Sequence, residues 1–403
     1  MATDNRQYYP LIGGHPELSY WDSAATTPAP RPVIEAQKIW AERQHANVHR
    51  GQYDLAIKST AAVEQTRQQT HAWLNAPVDW TIAFTSGATA AINAIAGGLD
   101  AQISDKDSIV VTADAHHSLF VPLQQLARRC RARFVVIDID EQGCLNDEAW
   151  GEAIARRPKI VGLPHVSNVT GRIHNIGLLG AQAQAAGAFV LVDGAQAVPH
   201  LQIDLSDLPT DAYVFSSHKM YGPTGVGVLA MNLRLTKVVA PATFGGGMID
   251  RVDADGSTWA DAPARYEAGT PNLWGIAGFG AALTWLTHQR NNIIEHDRLI
   301  TAQTLDRLSH IPGLRLYGPS TAEQRIPLFS FNLAGLHAHD VAEVMGQNGV
   351  AVRAGHHCVQ PLHRSWDIPA SVRASAGHYT TPEDIDKLVA AINTAQNTLS
   401  DGR

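Results

Sequence analysis

A lysine in Ser216-Ser217-His218-Lys219, and an aspartate ending the β-branched apolar run Phe189-Val-Leu-Val-Asp193-Gly-Ala-Gln196, form a pair suited to pyridoxal 5'-phosphate. That cofactor needs an amine to condense with its aldehyde and a carboxylate to keep its pyridine nitrogen protonated, so that the ring accepts electrons. An apolar strand that ends in Asp before a Gly puts the carboxylate at the C-terminal edge of a parallel sheet, where open α/β folds bind ligands. Burying it requires a positive partner, and a pyridinium is one. Gln196 lies close enough in sequence to reach a ring hydroxyl, and Ser216 and His218 flank the lysine with polar groups suited to phosphate oxygens. The plainer alternative is a strand-ending aspartate and a surface lysine with no shared task.

Two further turns carry chemistry of the same kind. Ser86-Gly87-Ala88-Thr89 follows an apolar strand and opens an Ala-rich helix, so free amides and the helix dipole point at one spot where a phosphate would sit. His116-His117 follows the strand ending at Thr112, and a flat imidazole there could stack on a pyridine ring. Asn168, in Ser-Asn-Val-Thr-Gly, is placed to hydrogen-bond a cofactor hydroxyl or a substrate. Arg373 offers a fork of donors matched to a carboxylate.

The elements that must position these residues alternate short apolar strands with helical segments. Strands are predicted at 81–85, 108–112, 134–137, 160–163, 189–192, 212–215 and 227–230. Repetition at this interval predicts a mostly parallel, seven-stranded sheet covered on both faces. Helical spacing then runs from Gly275 to Leu308. An α+β segment follows with a strand at 328–332, a helix at 339–346, a loop holding Cys358 and a closing helix at 382–399. The expected division is a large domain over 20–275 and a smaller one over 276–403, with 1–19 packing near the latter.

Six segments in order resemble the cysteine desulfurases of the SufS and CsdA type, within the class V aminotransferase-fold enzymes. They are Trp21-Asp-Ser-Ala-Ala-Thr-Thr27, Asn47-Val-His-Arg-Gly51, Ser167-Asn-Val-Thr-Gly171, Glu267-Ala-Gly-Thr-Pro-Asn272, Arg353-Ala-Gly-His-His-Cys358 and Val372-Arg-Ala-Ser375, beside the Asp193 and Lys219 motifs. The resemblance implies the α/β fold type I of pyridoxal phosphate-dependent transferases. It implies that Gly87, Ala88 and Thr89 hold the cofactor phosphate, that His116 stacks on the ring and carries protons, and that Arg373 anchors the amino-acid substrate. Thr270 matches the family residue that reaches the neighbouring subunit's phosphate, which implies a homodimer. Ala88, Ala90, Ala115, Leu119 and Thr380 depart from the usual family wording, and the first pair weakens the side-chain part of the phosphate turn.

Cys358 chooses among the reactions that one electron sink permits. A thiolate over the substrate sulfur selects sulfur transfer: L-cysteine becomes L-alanine and its sulfur ends on Cys358 as a persulfide, which feeds an acceptor of the SufE or CsdE kind or iron-sulfur cluster assembly. L-selenocysteine is a second expected substrate. Arg353, His356 and His357 could supply favourable local charge to the thiol. A carbon-sulfur lyase, an amino-acid epimerase of specialised metabolism, and a non-catalytic cofactor-binding regulator remain open. No metal is expected, because the adjacent His356, His357 and Cys358 cannot easily converge on one ion.

With 403 residues the chain can bury a large core. A net charge of −7 offers no attraction to nucleic acid or anionic membrane, so neither partner is expected. Three cysteines without a CxxC pair encode no disulfide framework, which points to a reducing cytoplasm. The N-terminal stretch has no apolar export core and no later run approaches a membrane span, so an unexported protein is expected. Cys130 and Cys144 receive no chemistry.

Overall fold

A computed structural model describes residues 5–400; residues 1–4, where the stretch read for an export signal begins, lie outside the described residues, as do 401–403. Seven strands form the main sheet: β1 (Thr81–Thr85), β2 (Ser108–Thr112), β3 (Arg133–Ile137), β4 (Ile160–Pro164), β5 (Phe189–Asp193), β6 (Ala212–Ser216) and β7 (Gly227–Met231). Their spatial order is β1-β7-β6-β5-β4-β2-β3, and all pairs are parallel except those that β7 makes with β1 and β6. The sequence predicts this sheet; it does not predict that β7 runs against the others.

The strands are apolar on both sides because helices cover both sides. In β2, Val110 packs in one core while Ile109 and Val111 pack in the other. In β5, Val190 and Val192 face the first core, and Phe189 and Leu191 the second. The period of two thus assigns each side chain to a face. Helices α1 (Arg31–Arg43) and α2 (Asp54–Trp73) precede the sheet. On the second face lie α3 (Ala88–Gly98) and α4 (His117–Cys130), through Ile92, Ile95, Leu119 and Leu123. The first face is covered by α5 (Asp147–Ala155) and α6 (Ile176–Ala185), through Trp150, Ile176 and Leu179.

An exposed hairpin, β8 (Ile249–Asp253) and β9 (Gly256–Trp259), projects before α7 (Leu273–Ser309). Ile276 and Phe279 of α7 pack into the first core of the sheet. Ile300 and Leu308, further along α7, pack into a separate core with Trp21, Phe329 and Val372. That core underlies an antiparallel sheet of β10 (Leu314–Tyr317), β11 (Leu328–Leu333), β12 (Arg353–Gly355) and β13 (Ser371–Ser375), in the order β10-β11-β13-β12. Helices α8 (Ala338–Gln347) and α10 (Pro382–Ser400) complete it, while α9 (Gln360–Ser365) packs through Leu362 against Ala113, Ile139 and Val169. Among the described residues no helix is long and apolar enough to cross a membrane.

Candidate active site

The strand ends and helix starts named above open on one cavity of about 520 Å³. Its wall takes Ala88 and Thr89 from the start of α3, His116 and Ser118 from the start of α4, and Asn168 from the loop after β4. Asp193 and Gln196 come from the end of β5, and Ser216, His218 and Lys219 from the end of β6. The C-terminal sheet closes it with Arg353, His357, Cys358 and Arg373. The cavity therefore gathers twelve of the fourteen residues singled out from sequence; Gly87 and Thr270 do not line it.

Asp193 is buried, and its carboxylate accepts from the Ala195 amide at 3.0 Å and the Ser118 hydroxyl at 3.4 Å. Burial nevertheless raises its pKa above the ordinary carboxylate value, with those two donors and Lys219 opposing. The Lys219 amine has no hydrogen bond or ion pair within the described residues, and burial lowers its pKa while Asp193 opposes. Its turn is tied down from the N-terminal segment, a role that sequence reasoning missed. The Thr27 amide and the Thr26 and Thr27 hydroxyls all donate to the His218 carbonyl, at 2.9, 3.1 and 3.2 Å. The Tyr221 amide donates to the Thr27 hydroxyl at 2.6 Å.

Gly87 lies just behind the wall. It gives α3 no side-chain cap, and the Ala88 amide instead donates to the Ser216 hydroxyl at 2.9 Å. Gly227 passes so close that a Cβ there would stand 2.4 Å from the Gly87 backbone, so only glycine allows β7 and the turn to meet. Ala115 and Leu119, two of the departures from the family wording, are fully buried in the second core behind His116. His116 accepts from the Ser118 amide at 3.1 Å, and burial, with Lys219 next, pushes its pKa down to about 3. The imidazole is therefore neutral at neutral pH. His218 is likewise pushed down to about 4, by burial first and then by Lys219.

Gln196 is committed in part: its amide nitrogen donates to the Ala24 carbonyl at 2.8 Å. Asn168 donates to the His357 carbonyl at 2.8 Å, and Arg373 donates to the Asn168 carbonyl at 3.1 Å. Arg353 and Arg373 are register partners on β12 and β13, two cations side by side. Asp22 resolves the conflict. It accepts from Arg353 at 2.8 and 3.2 Å and stands 3.5 Å from the Arg373 guanidinium. Burial lowers the Arg373 pKa to about 10, with Asp22 opposing. Arg353 is thus held by Asp22, and its cation is shared between that carboxylate and the cavity. Asp22 sits inside the Trp21 to Thr27 motif, which was the one signal that could have found it.

Cys358 is an exposed free thiol at the cavity rim. His356 and His357 do not converge with it: the His357 ring is buried against Ser371 at 3.0 and 3.1 Å. Among the described residues no group of three or more His, Cys, Asp or Glu side chains could hold a metal ion. Thr270 lies in a different cleft, with Thr243 and Glu267. The Gly245-Gly246-Gly247 turn borders Thr270 too, and Gly246 accepts from the Gly269 amide at 2.7 Å.

A fold with a lysine, a strand-end aspartate and a helix start on one cavity matches the aminotransferase class-V family model over residues 19–388, and the chain belongs to that family. Similar proteins within it include cysteine desulfurases. A probable cysteine desulfurase of Halalkalibacterium halodurans is 40% identical over 94% of this chain and 93% of its own length. The cysteine desulfurase of Cronobacter sakazakii is 39% identical over 94% of each chain. Among solved structures, a cysteine desulfurase from Thermococcus onnurineus superposes with a TM-score of 0.93 at 32% identity, covering 98% of both chains. The desulfurase CsdA of Escherichia coli gives 0.89 at 35% identity, again over 98% of both chains.

Proposed function

We propose that the protein is a pyridoxal 5'-phosphate-dependent cysteine desulfurase that converts L-cysteine to L-alanine and collects the sulfur on Cys358. The observation that carries the reading is the convergence of an unpartnered lysine amine, a buried carboxylate and an exposed thiol on one cavity. The residues present fit the cofactor. Asp193 is a buried carboxylate short of positive charge, and the start of α3 offers amides without a side-chain cap. When bound, the cofactor supplies an electron sink that loosens bonds at the substrate Cα.

The roles of the chain's own groups follow. Lys219 would hold the cofactor through its amine and could then move the substrate α-proton; burial lowers its pKa, which favours the free amine that this requires. Asp193 would hold the ring nitrogen. Neutral His116 would offer its flat face to the ring, and it holds Ser118 by hydrogen bonds. Gln196 and Asn168 orient the ring hydroxyl and the substrate, with Ser216, His218, Gly87, Ala88 and Thr89 around the phosphate. Arg373, steadied by Asp22 and assisted by Arg353, binds the substrate carboxylate. The Cys358 thiolate attacks the substrate sulfur; the carbon-sulfur bond breaks and its electrons return to the amino-acid carbon.

The same proposal includes a homodimer in which Thr270 completes the partner's phosphate site, an SufE or CsdE-like acceptor, selenocysteine as a second substrate, and a cytoplasmic setting. It also includes a large domain that ends near residue 275 and a smaller one beyond it; α7 itself packs into the sheet's first core as far as Ile293 and into the C-terminal core from Ile300. The test is parallel assay of alanine and sulfide with wild type, Lys219→Ala and Cys358→Ala. Lys219→Ala should lose both products, and Cys358→Ala should lose sulfur transfer; full sulfur release by Cys358→Ala would favour a lyase instead.

A further inference from the structure

The loop carrying Cys358 has an unusual backbone. His357 and Cys358 adopt φ of 51° and 59°, two consecutive side-chain-bearing residues in the left-handed region. Such a conformation persists only where surrounding structure imposes it. On the near side, Asn168 holds the His357 carbonyl and the His357 ring is seated on Ser371. On the far side, Val359 is buried in a small cluster with Ala113, Ile139, Val169 and Leu362. What remains is the Cys358 peptide itself and the start of α9.

Both are met by one residue at the beginning of α4. The His117 amide donates to the Cys358 carbonyl at 2.9 Å. Its ring nitrogen Nε2 accepts from the Gln360 amide at 3.2 Å, across 243 positions of sequence. Val359, the residue capping α9, supplies no side-chain cap, so the His117 ring takes over that task from another element. The amide contact would survive any substitution at 117 except proline; the ring contact would not. The ring is only half-buried, so its removal costs little packing.

We infer that His117 is a positioning residue for Cys358: its ring fixes the far end of the nucleophile's loop through the Gln360 amide and so holds the thiol at the cavity rim. The inference rests on the reading of Cys358 as the sulfur-accepting nucleophile. It makes a length-specific demand, since the glutamine side-chain oxygen reaches where Nε2 stands, whereas that of asparagine stops short.

The experiment uses holoenzyme with His117→Ala, His117→Asn, His117→Gln and Cys358→Ala. Two quantities are read: amide hydrogen exchange of the peptide spanning 356–360, and the single-turnover rate at which L-cysteine produces persulfide on Cys358. Loss of one hydrogen bond of ordinary strength predicts exchange about 3- to 10-fold faster, and persulfide formation slower by a similar factor, in the alanine and asparagine variants. Glutamine should restore both, with KM unchanged throughout. Wild-type exchange and rate in His117→Ala, or glutamine as impaired as asparagine, would overturn the inference; if the alanine variant does not fold, the glutamine and asparagine pair decides alone. Full sulfur release by Cys358→Ala would sink the nucleophile reading instead, while the exchange data would still judge the hold that His117 exerts.

Discussion

Replacing Asp22 by asparagine removes the one carboxylate between two arginines while keeping the shape of the side chain. At 3.5 Å, and with an effective dielectric of about 20, the gross attraction between Asp22 and Arg373 is about 5 kcal/mol. Against this stands the cost of desolvating Asp22; the repulsion between Arg353 and Arg373, which the aspartate relieves, adds to what its removal would lose. Arg373 is 3% exposed, and among the described residues its Nε lacks a partner, so the variant leaves a buried cation with the Asn168 carbonyl as its main acceptor. Breaking one side of a fully buried pair costs about 3 to 5 kcal/mol. Asp22 keeps 16% side-chain exposure, so we expect a net loss of about 2 to 3 kcal/mol, scaled down from that range. Arg353, at 51% exposure, should lose no more than about 1 kcal/mol on truncation to alanine. Urea unfolding followed by tryptophan fluorescence reads both, as the shift in midpoint times the slope. An Asp22→Asn midpoint equal to wild type, or equal to that of Arg353→Ala, would refute the claim that Asp22 neutralises a buried arginine.

Two more outcomes follow from the same geometry. His116 titrates near pH 6.5 when unfolded and at about 3 when folded, so the unfolded chain takes up the extra proton between those values. Its contribution to stability should be complete above pH 6.5 and fall away as pH drops toward 3; the His116→Gln apoprotein should show a shallower acid limb, and an unchanged limb would contradict this. Gly227→Ala would drive a Cβ into the Gly87 backbone and displace the turn ahead of α3. A backbone shift of that kind costs about 1 to 3 kcal/mol, so cofactor affinity measured by absorbance titration should fall about tenfold or more, and unaltered affinity would count against the phosphate assignment.

The parts of this molecule that the sequence disclosed are those governed by local pattern. Alternation in 189–193 and 108–112 marks strands whose two faces are both buried, and the order Asp193 then Lys219 follows from strands ending on one edge of a sheet. Composition cannot show that β7 runs antiparallel, because a fully buried strand reads the same in either direction. The residues that went unseen act over distance. Asp22 meets Arg353 across 331 positions, and His117 meets Gln360 across 243, so neither spacing carries a signal. The Thr26 and Thr27 clamp on the lysine turn is hidden for the same reason: hydroxyls in a loop look alike until the fold supplies the carbonyl they bind.

The central claim is that Lys219 and Cys358 work on the same bound amino acid. Brief incubation of the cofactor-loaded protein with L-cysteine, followed by mass spectrometry of the peptide containing Cys358, tests it most directly. The account predicts one added sulfur atom on Cys358 that a reductant removes and that never forms in Lys219→Ala. An unmodified Cys358 alongside steady alanine production, or the same sulfur adduct in Lys219→Ala, would contradict it.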